Sequence, residues 1–233
     1  MSDRKLRRLG RDARGGDLAA RVELLANRLR SGELERRRAS LAAFLGDEAA
    51  AVALDQFDEP TPEPAGTVDA YRDVRRWLAE IGHYGQDVAV RVALALAEPT
   101  LDACEVPGER RAARMALDAA VEWLARPSHG QQIVCQRAGY LATTTAADSS
   151  PAIGPRPAAY HALTACGLAA YAAGSAVAGA AGDGCFGCAR HATLALVGVG
   201  SLDPSDRPAG KVLHPELRAR VERELIRWAV GPA

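Results

Sequence analysis

Helical spacing of apolar residues is the feature that most limits what this chain can fold into. One face of a predicted helix that follows Asp17 carries Leu18, Val22, Leu25 and Leu29. Asp17 is a good N-cap residue, because its carboxylate can accept the first free amides of that helix. Similar three-and-four spacing recurs along the chain, and no segment sustains the period-two alternation of a half-buried strand. The pattern predicts an all-α fold, a helical bundle or short α-solenoid of about nine to ten helices.

Alanine shapes the expected core. The hydrophobic fraction is 48%, but aromatic residues make up only 5%, and alanine combines high helix propensity with little volume, which favours closely packed helices. Residues 86–98 are apolar nearly all round, as a central helix would be. Further helices are predicted for 128–141 and from the Gly-Asp-Gly at 182–184 to about 199, with a loop over 143–157 between them.

One segment has the composition of a linker. Residues 55–66, DQFDEPTPEPAG, contain three prolines and no helical period, and each proline removes an amide donor and biases its neighbour to extended backbone. The sequence therefore predicts an N-terminal helical module over 1–54, an acidic proline-rich linker over 55–66, and a main helical domain over 67–233.

Charge and cysteine usage restrict the compartment and the class of partner. The formal net charge is zero, so no overall field would attract nucleic acid or an anionic membrane. Five unevenly spaced cysteines favour a reducing compartment over a disulfide framework. The charged N-terminus lacks the apolar region of a secretory signal. Residues 158–182 carry no formal charge, but they hold few of the large apolar residues that drive membrane insertion. We expect a cytoplasmic protein that binds neither nucleic acid nor membrane.

The strongest candidate for a metal site is the run Cys185-Phe-Gly-Cys188-Ala-Arg-His191. Two thiolates and an imidazole at this spacing can converge on one zinc ion, which prefers sulfur and nitrogen donors. The fourth ligand would come from Cys166, His161 or Cys135. The favoured alternative is burial, because cysteine without a disulfide behaves as a small apolar residue and this segment is among the most apolar. On that interpretation the chain holds no cofactor, and His161 and His191 are core histidines.

No catalytic signature is present. None of the histidines belongs to a Gly-x-Ser-x-Gly frame or a similar arrangement of nucleophile and base. The glycines form neither a dinucleotide-binding fingerprint nor a phosphate loop. The sequence therefore predicts a non-enzymatic protein, with no catalytic and no cofactor-binding residue.

Four stretches of the chain resemble known bacterial proteins. The segments HYGQDVAVRVALALAEPTLDA, ERRAARMALDAAVEWLARPS and AAYHALTACGLAAYAAGSAVAGAAGDGCFGCARHATLAL are similar to the α-helical immunity proteins of bacterial toxin–immunity loci. LLANRLRSGELERRRASLAAFLGDEAAAVAL is similar to a helical module found ahead of such segments. The resemblance implies a protein that binds another protein and neutralises or regulates it. Two other functions stay open: a metal-binding sensor or small enzyme built on the Cys/Cys/His run, and a homo-oligomeric structural protein.

Arginine clusters are the predicted partner-binding residues. Arginine is enriched at interface hot spots, because its planar guanidinium pairs carboxylates through two hydrogen bonds while its stem packs. The candidates are Arg72, Arg75, Arg76, Arg110, Arg111, Arg114, Arg218, Arg220 and Arg223. The alternative is that they only keep the helices soluble, in which case recognition would fall to the loops at 143–157 and 200–213.

Overall fold

The protein is described by a computed structural model that covers residues 3–58, 60–64, 71–149, 157–175, 178–197 and 213–231. These residues form eleven α-helices and one 3-10 helix, without a strand. The all-α prediction is confirmed for them, and the predicted nine to ten helices are slightly too few. The helices are α1 Asp3–Arg14, α2 Leu18–Ser31, α3 Arg36–Phe44, α4 Glu48–Asp55, α5 Tyr71–Gly82, α6 Gln86–Ala97, the 3-10 helix Glu98–Ala103, α7 Pro107–Ala125, α8 His129–Ser149, α9 Pro157–Gly174, α10 Ala178–Val197 and α11 Pro215–Val230.

The chain divides into two compact units. Unit 1 contains Met1–Gly66 and Glu222–Ala233, and unit 2 contains Thr67–Val221. The sequence-based division placed all of 67–233 in one domain, whereas the contacts of the folded chain group the end of α11 with the N-terminal helices. Residues 60–64 of the predicted linker are neither helix nor strand. The first residues of the predicted main domain, 67–70, lie outside the described residues.

Unit 1 buries a core of alanine and leucine in which distant parts of the chain meet. Leu25, Leu34 and Leu54 are buried in one cluster with Ala229 and Val230 of α11. Alanine is the commonest residue of that cluster, and such small side chains let the helix backbones approach one another closely. The segment 222–231 therefore completes the hydrophobic core of the N-terminal helices.

Two arginines of unit 1 bind the carbonyl end of α11. Arg28 donates to the carbonyl of Val230, and Arg38 donates to the carbonyl of Trp228. The guanidinium of Arg38 also lies 4.5 Å from the centroid of the Trp228 ring. The last carbonyls of a helix have no partner within the helix, so these donors stabilise the helix end, where positive charge is also favourable.

A buried carboxylate caps the fourth helix. The side chain of Asp47 accepts a hydrogen bond of 2.9 Å from the amide of Ala50, and another of 2.6 Å from the Nη2 of Arg21. Asp47 is buried, whereas Asp17, which caps α2 through the amide of Ala20, is exposed. The two caps therefore differ in burial and in the presence of a cationic partner.

Replacing Asp47 by alanine is expected to lower the free energy of unfolding by about 2–3 kcal/mol, because it removes a cap worth about 1 kcal/mol and leaves Arg21 without its carboxylate. Urea denaturation at neutral pH measures the loss. Asp47→Asn keeps an oxygen for the amide and should lose less, and the matched Asp17→Ala should lose only about 1 kcal/mol. Equal losses for Asp17→Ala and Asp47→Ala would contradict this account.

Helix α9 is the centre of unit 2. It packs against α6, α7, α8, α10 and the 3-10 helix, and most of its residues are buried, including His161, Leu163 and Cys166. The apolar pattern of the sequence predicts the central helix at 86–98 instead. That segment, α6, does bury Val88, Val90 and Val92, but its contacts with the neighbouring helices are less extensive than those of α9.

Glycines bring α8 and α9 into close contact. A Cβ atom on Gly139 would lie 2.8 Å from the carbonyl oxygen of Gly167, and one on Gly167 would lie 2.7 Å from the Cγ2 of Thr143 and 3.0 Å from the oxygen of Gly139. At Gly174, the Cβ would meet the Cγ of Gln136 at 2.8 Å. Only glycine fits these positions without a shift of the neighbouring atoms.

The loop predicted over 143–157 is wrong for its first part, because α8 continues to Ser149. The hydroxyl of Thr143 donates to the carbonyl of Gly139, and that of Thr144 donates to the carbonyl of Tyr140. These bonds satisfy the polar side chains within the helix, so the threonine run does not end it. Residues 150–156 lie outside the described residues.

Two other boundaries differ from the prediction. Helix α10 begins at Ala178, so the Gly-Asp-Gly at 182–184 lies inside a helix instead of preceding one. Gly184 and Gly187 face α9, where added Cβ atoms would meet Ala172 and Leu168. Close helix packing therefore explains Gly184, one of the two glycines of the predicted helix boundary. The helix α1 was not predicted.

The length and mean hydropathy of the helices test whether the uncharged stretch 158–182 could cross a membrane. Within the portions of the chain that the structure describes, none of the helices combines the length and the apolarity that a bilayer crossing needs.

Candidate functional site

The cysteines of the predicted metal run are engaged in hydrogen bonds to backbone carbonyls. The Sγ of Cys185 donates to the oxygen of Ala89 at 2.8 Å, and the Sγ of Cys188 donates to Ala93 at 3.3 Å and to Ala165 at 3.4 Å. Burial raises the pKa of Cys185 to about 12 and raises that of Cys188 well above its usual value. Because a metal binds the thiolate, both groups would have to lose a proton and a hydrogen bond to become ligands.

His191, the third candidate ligand, faces a second histidine. Its Nδ1 lies 2.9 Å from the Nδ1 of His161, and Tyr160 packs edge-on against the His161 ring. One Nδ1 must donate while the other accepts, so this contact requires at least one neutral ring. The pKa of each imidazole is lowered to about 4, mainly by burial; His161 contributes to the shift of His191, and the positive charge of Arg190 contributes to both. The pair is therefore neutral and internally bonded at pH 7.

The structure brings the three candidate ligands onto one helix but not around one point. In the described part of the chain, no three His, Cys, Asp or Glu side chains are grouped so that they could hold an ion. Cys166 and Cys135, two of the proposed fourth ligands, are also buried, and burial raises their pKa values to about 12 and about 11. The zinc site stays a prediction from spacing, and the observed hydrogen bonds do not favour it.

Most of the candidate arginines contact their own chain. Five of them have intramolecular partners, and for those five part of the guanidinium is already engaged. The contacts are Arg75 over the Phe186 ring, Arg76 with Glu80, Arg110 with the carbonyl of Cys104, Arg218 over the Trp77 ring, and Arg220 with Glu98. These contacts bind helices of unit 2 to one another or extend along one helix.

Three other candidate arginines are exposed. Arg111 and Arg114 lie on the polar side of α7, and Arg223 lies on α11. The side chain of Arg72 lies outside what the structure describes. The candidate arginines are therefore divided among α5, α7 and α11.

A different surface stands out on α8. Its buried residues are all small, namely Cys135, Ala138, Gly139, Ala142 and Ala146. Its large apolar residues are exposed instead, with Tyr140 64% and Val134 48% accessible, followed by Leu141 and Ile133. A helix that only packed on its own core would have the reverse arrangement, with the large residues inside.

These large residues belong to one continuous stripe of exposed and half-exposed side chains, because each member has another member three or four positions away along the helix. We call this stripe the α8 outer face. It comprises Ile133, Val134, Arg137, Tyr140, Leu141, Thr144 and Asp148. Contiguous exposed apolar residues flanked by polar ones are typical of protein–protein interaction sites.

Periodicity in the sequence does not reveal this face, because polar and apolar residues are both spread around the whole of α8. Ile133 and Cys135 are both apolar, so periodicity does not show which of them points inward. The orientation is set by the glycine contacts with α9, where Gly139 meets Gly167. The available signal was Gly139, a glycine in the middle of a long helix.

No protein family, curated protein or solved structure matches this chain. The resemblance to immunity proteins therefore rests on the quoted segments alone and stays a prediction.

Proposed function

We propose that the chain is a helical bundle that acts as a non-enzymatic protein-interaction module, and that its α8 outer face binds another protein. The observation that carries the proposal is the inverted distribution of residues on α8, with small side chains buried and large apolar ones exposed. Burial of such side chains against a partner is favourable, and tyrosine is among the residues enriched at interface hot spots.

The proposal assigns binding alone and no reaction. The buried imidazoles and thiols of unit 2 are held in internal hydrogen bonds, and burial shifts their pKa values towards the neutral forms. The resemblance to immunity proteins supports the same direction, because it implies a chain that neutralises or regulates a partner by covering part of it. We therefore extend the proposal to an immunity or regulatory role in a bacterial toxin or defence system.

The α8 outer face can be tested by charge insertion. Immobilised wild-type protein should capture a partner that Ile133→Glu/Leu141→Glu does not, because two carboxylates would be desolvated against an apolar surface. Once the partner is purified, calorimetry should show a loss of affinity of more than tenfold, equivalent to about 1.4 kcal/mol. Both positions are exposed, so circular dichroism should show unchanged helix content.

The matched control moves the change to α7. Arg111→Glu/Arg114→Glu alters two exposed residues that the sequence analysis predicted to bind the partner, and we expect it to leave the affinity within about threefold, or about 0.6 kcal/mol. If the arginine variant loses binding while the α8 variant keeps it, the arginine interpretation is right and the α8 proposal is wrong.

A further inference from the structure

We propose that the α8 outer face binds the same face of a second copy of this chain, in antiparallel orientation. The inference rests on the proposed function, because it names the occupant of that surface. It is carried by two opposite charges on α8, which can pair with the same two charges on a second copy.

Helix α8 contains one basic and one acidic side chain, Arg137 and Asp148. Both are exposed, and neither forms an ion pair with another residue that the structure describes. They are eleven residues apart, which is close to three full turns, so they lie on the same stripe, separated by about 16 Å along the helix axis. Between them lie Tyr140 and Leu141, the exposed apolar residues nearest the middle of the stripe.

Antiparallel pairing satisfies both charges at once. When Arg137 of one copy lies opposite Asp148 of the other, the two-fold symmetry places the second Asp148 opposite the second Arg137. The axis then crosses the interface at a height along α8 that lies between Ala142 and Thr143. Two ion pairs enclose an apolar centre, as the polar rim of an interface encloses its core.

The same register places Tyr140 and Leu141 at the height of shorter side chains, whereas Ile133 and Val134 fall opposite positions 152 and 151, outside the described residues. Tyr140 of one copy lies at the height of Thr145 of the other, and Leu141 lies at the height of Thr144. Helices pack at interaxial distances of about 8–10 Å when large residues interdigitate with smaller ones. The Thr144 hydroxyl already donates to a carbonyl of its own helix, so covering it leaves no donor without a partner. Leu141 can therefore pack against the threonine methyl group.

The charge pattern favours a second copy over other occupants. An anionic membrane surface would require an excess of basic residues, but the stripe carries one charge of each sign. An unrelated protein would have to carry one charge of each sign at a matching spacing. A second copy supplies both by symmetry in the antiparallel register, which also sets Tyr140 and Leu141 beside shorter residues.

Sedimentation of the whole chain tests the inference. The wild-type protein should form dimers as the concentration rises. Arg137→Asp places two carboxylates opposite each other, and Asp148→Arg places two guanidinium groups opposite each other, so each change should weaken dimerisation by more than tenfold. The double variant Arg137→Asp/Asp148→Arg reverses both charges and should restore the affinity to within about threefold, or about 0.6 kcal/mol. Arg111→Asp, an exposed change on α7, is the control and should leave dimerisation unaltered.

Three results would overturn the inference: a wild-type chain that stays monomeric at millimolar concentration, dimers that persist in both single variants, or a double variant that fails to recover. The Ile133→Glu/Leu141→Glu capture experiment separates these failures from a failure of the proposed function. Capture of another protein that depends on the α8 outer face, together with a monomeric wild-type chain, overturns the second copy alone. If the wild-type chain stays monomeric and also captures no other protein through the α8 outer face, the proposed function is overturned as well.

Discussion

Alanine at Gly139 or at Gly167 is expected to lower the free energy of unfolding by about 2–3 kcal/mol, because the added methyl group overpacks the contact between α8 and α9. At Gly139 the methyl would lie 2.8 Å from a backbone oxygen, and at Gly167 it would lie 2.7 Å from the Cγ2 of Thr143. Urea denaturation monitored by circular dichroism measures the loss.

The same helix offers the control. A Cβ on Gly130 meets only the Oγ of Ser128, at 4.0 Å, so Gly130→Ala should cause no loss and gain about 0.5 kcal/mol from the higher helix propensity of alanine. Thr143→Ser removes the methyl group that obstructs residue 167. It should therefore restore part of the stability of Gly167→Ala and none of that of Gly139→Ala. Equal losses at 130 and 139 would show that the close contact is not what selects glycine.

Acid is expected to destabilise unit 2 through its histidine pair. The pKa values of His161 and His191 fall from 6.5 to about 4 in the folded protein, mainly because of burial. Between these values the unfolded chain binds more protons than the folded one, so the stability from the neutral pair is present above pH 6.5 and is lost as the pH falls towards 4. The loss is on the order of 3 kcal/mol per imidazole, since one pKa unit corresponds to about 1.36 kcal/mol.

Thermal unfolding at a series of pH values between 4 and 7 measures this loss. The double variant His161→Leu/His191→Leu replaces both partners by apolar groups, which is nearly neutral at pH 7, and its stability should fall much less over the same range. All other groups are common to both proteins, so their contributions cancel in the comparison. His83→Asn, at an exposed position, should follow the wild-type profile. A double variant as acid-sensitive as the wild type would mean that the pair does not carry the effect.

Local signals in the sequence mark several helix starts. Asp17 accepts the amide bond predicted for an N-cap. Asp47 caps α4 in the same way, and α7 and α11 begin at Pro107 and Pro215, residues that suit a first helical turn. Each of these signals acts over one turn of helix, so it is legible in a short stretch of sequence. The true end of α8 could not be predicted in this way, because the hydroxyls of its threonines bind carbonyls of the same helix and the composition of the segment is that of a loop.

The arrangements that matter for the candidate site depend on packing between helices. His161 and His191 are thirty residues apart, and nothing in their spacing shows that their rings meet. The α8 outer face is exposed because the opposite side of α8 is held against α9 through Gly139. Periodicity does not show the orientation of a helix whose apolar residues lie on every side, and the neighbouring helices decide that orientation.

Unit 1 has a consequence for the order in which the chain is made. A ribosome synthesises residues 1–58 long before 222–231, yet the core around Leu34 and Leu54 is complete only when Ala229 and Val230 arrive. At translation rates of about 5–20 residues per second, the early helices wait on the order of ten seconds for those partners. During that interval their apolar faces are uncovered at the tunnel exit, where chaperones act. The helices of unit 1 thus emerge ahead of unit 2 and are among the last to finish folding.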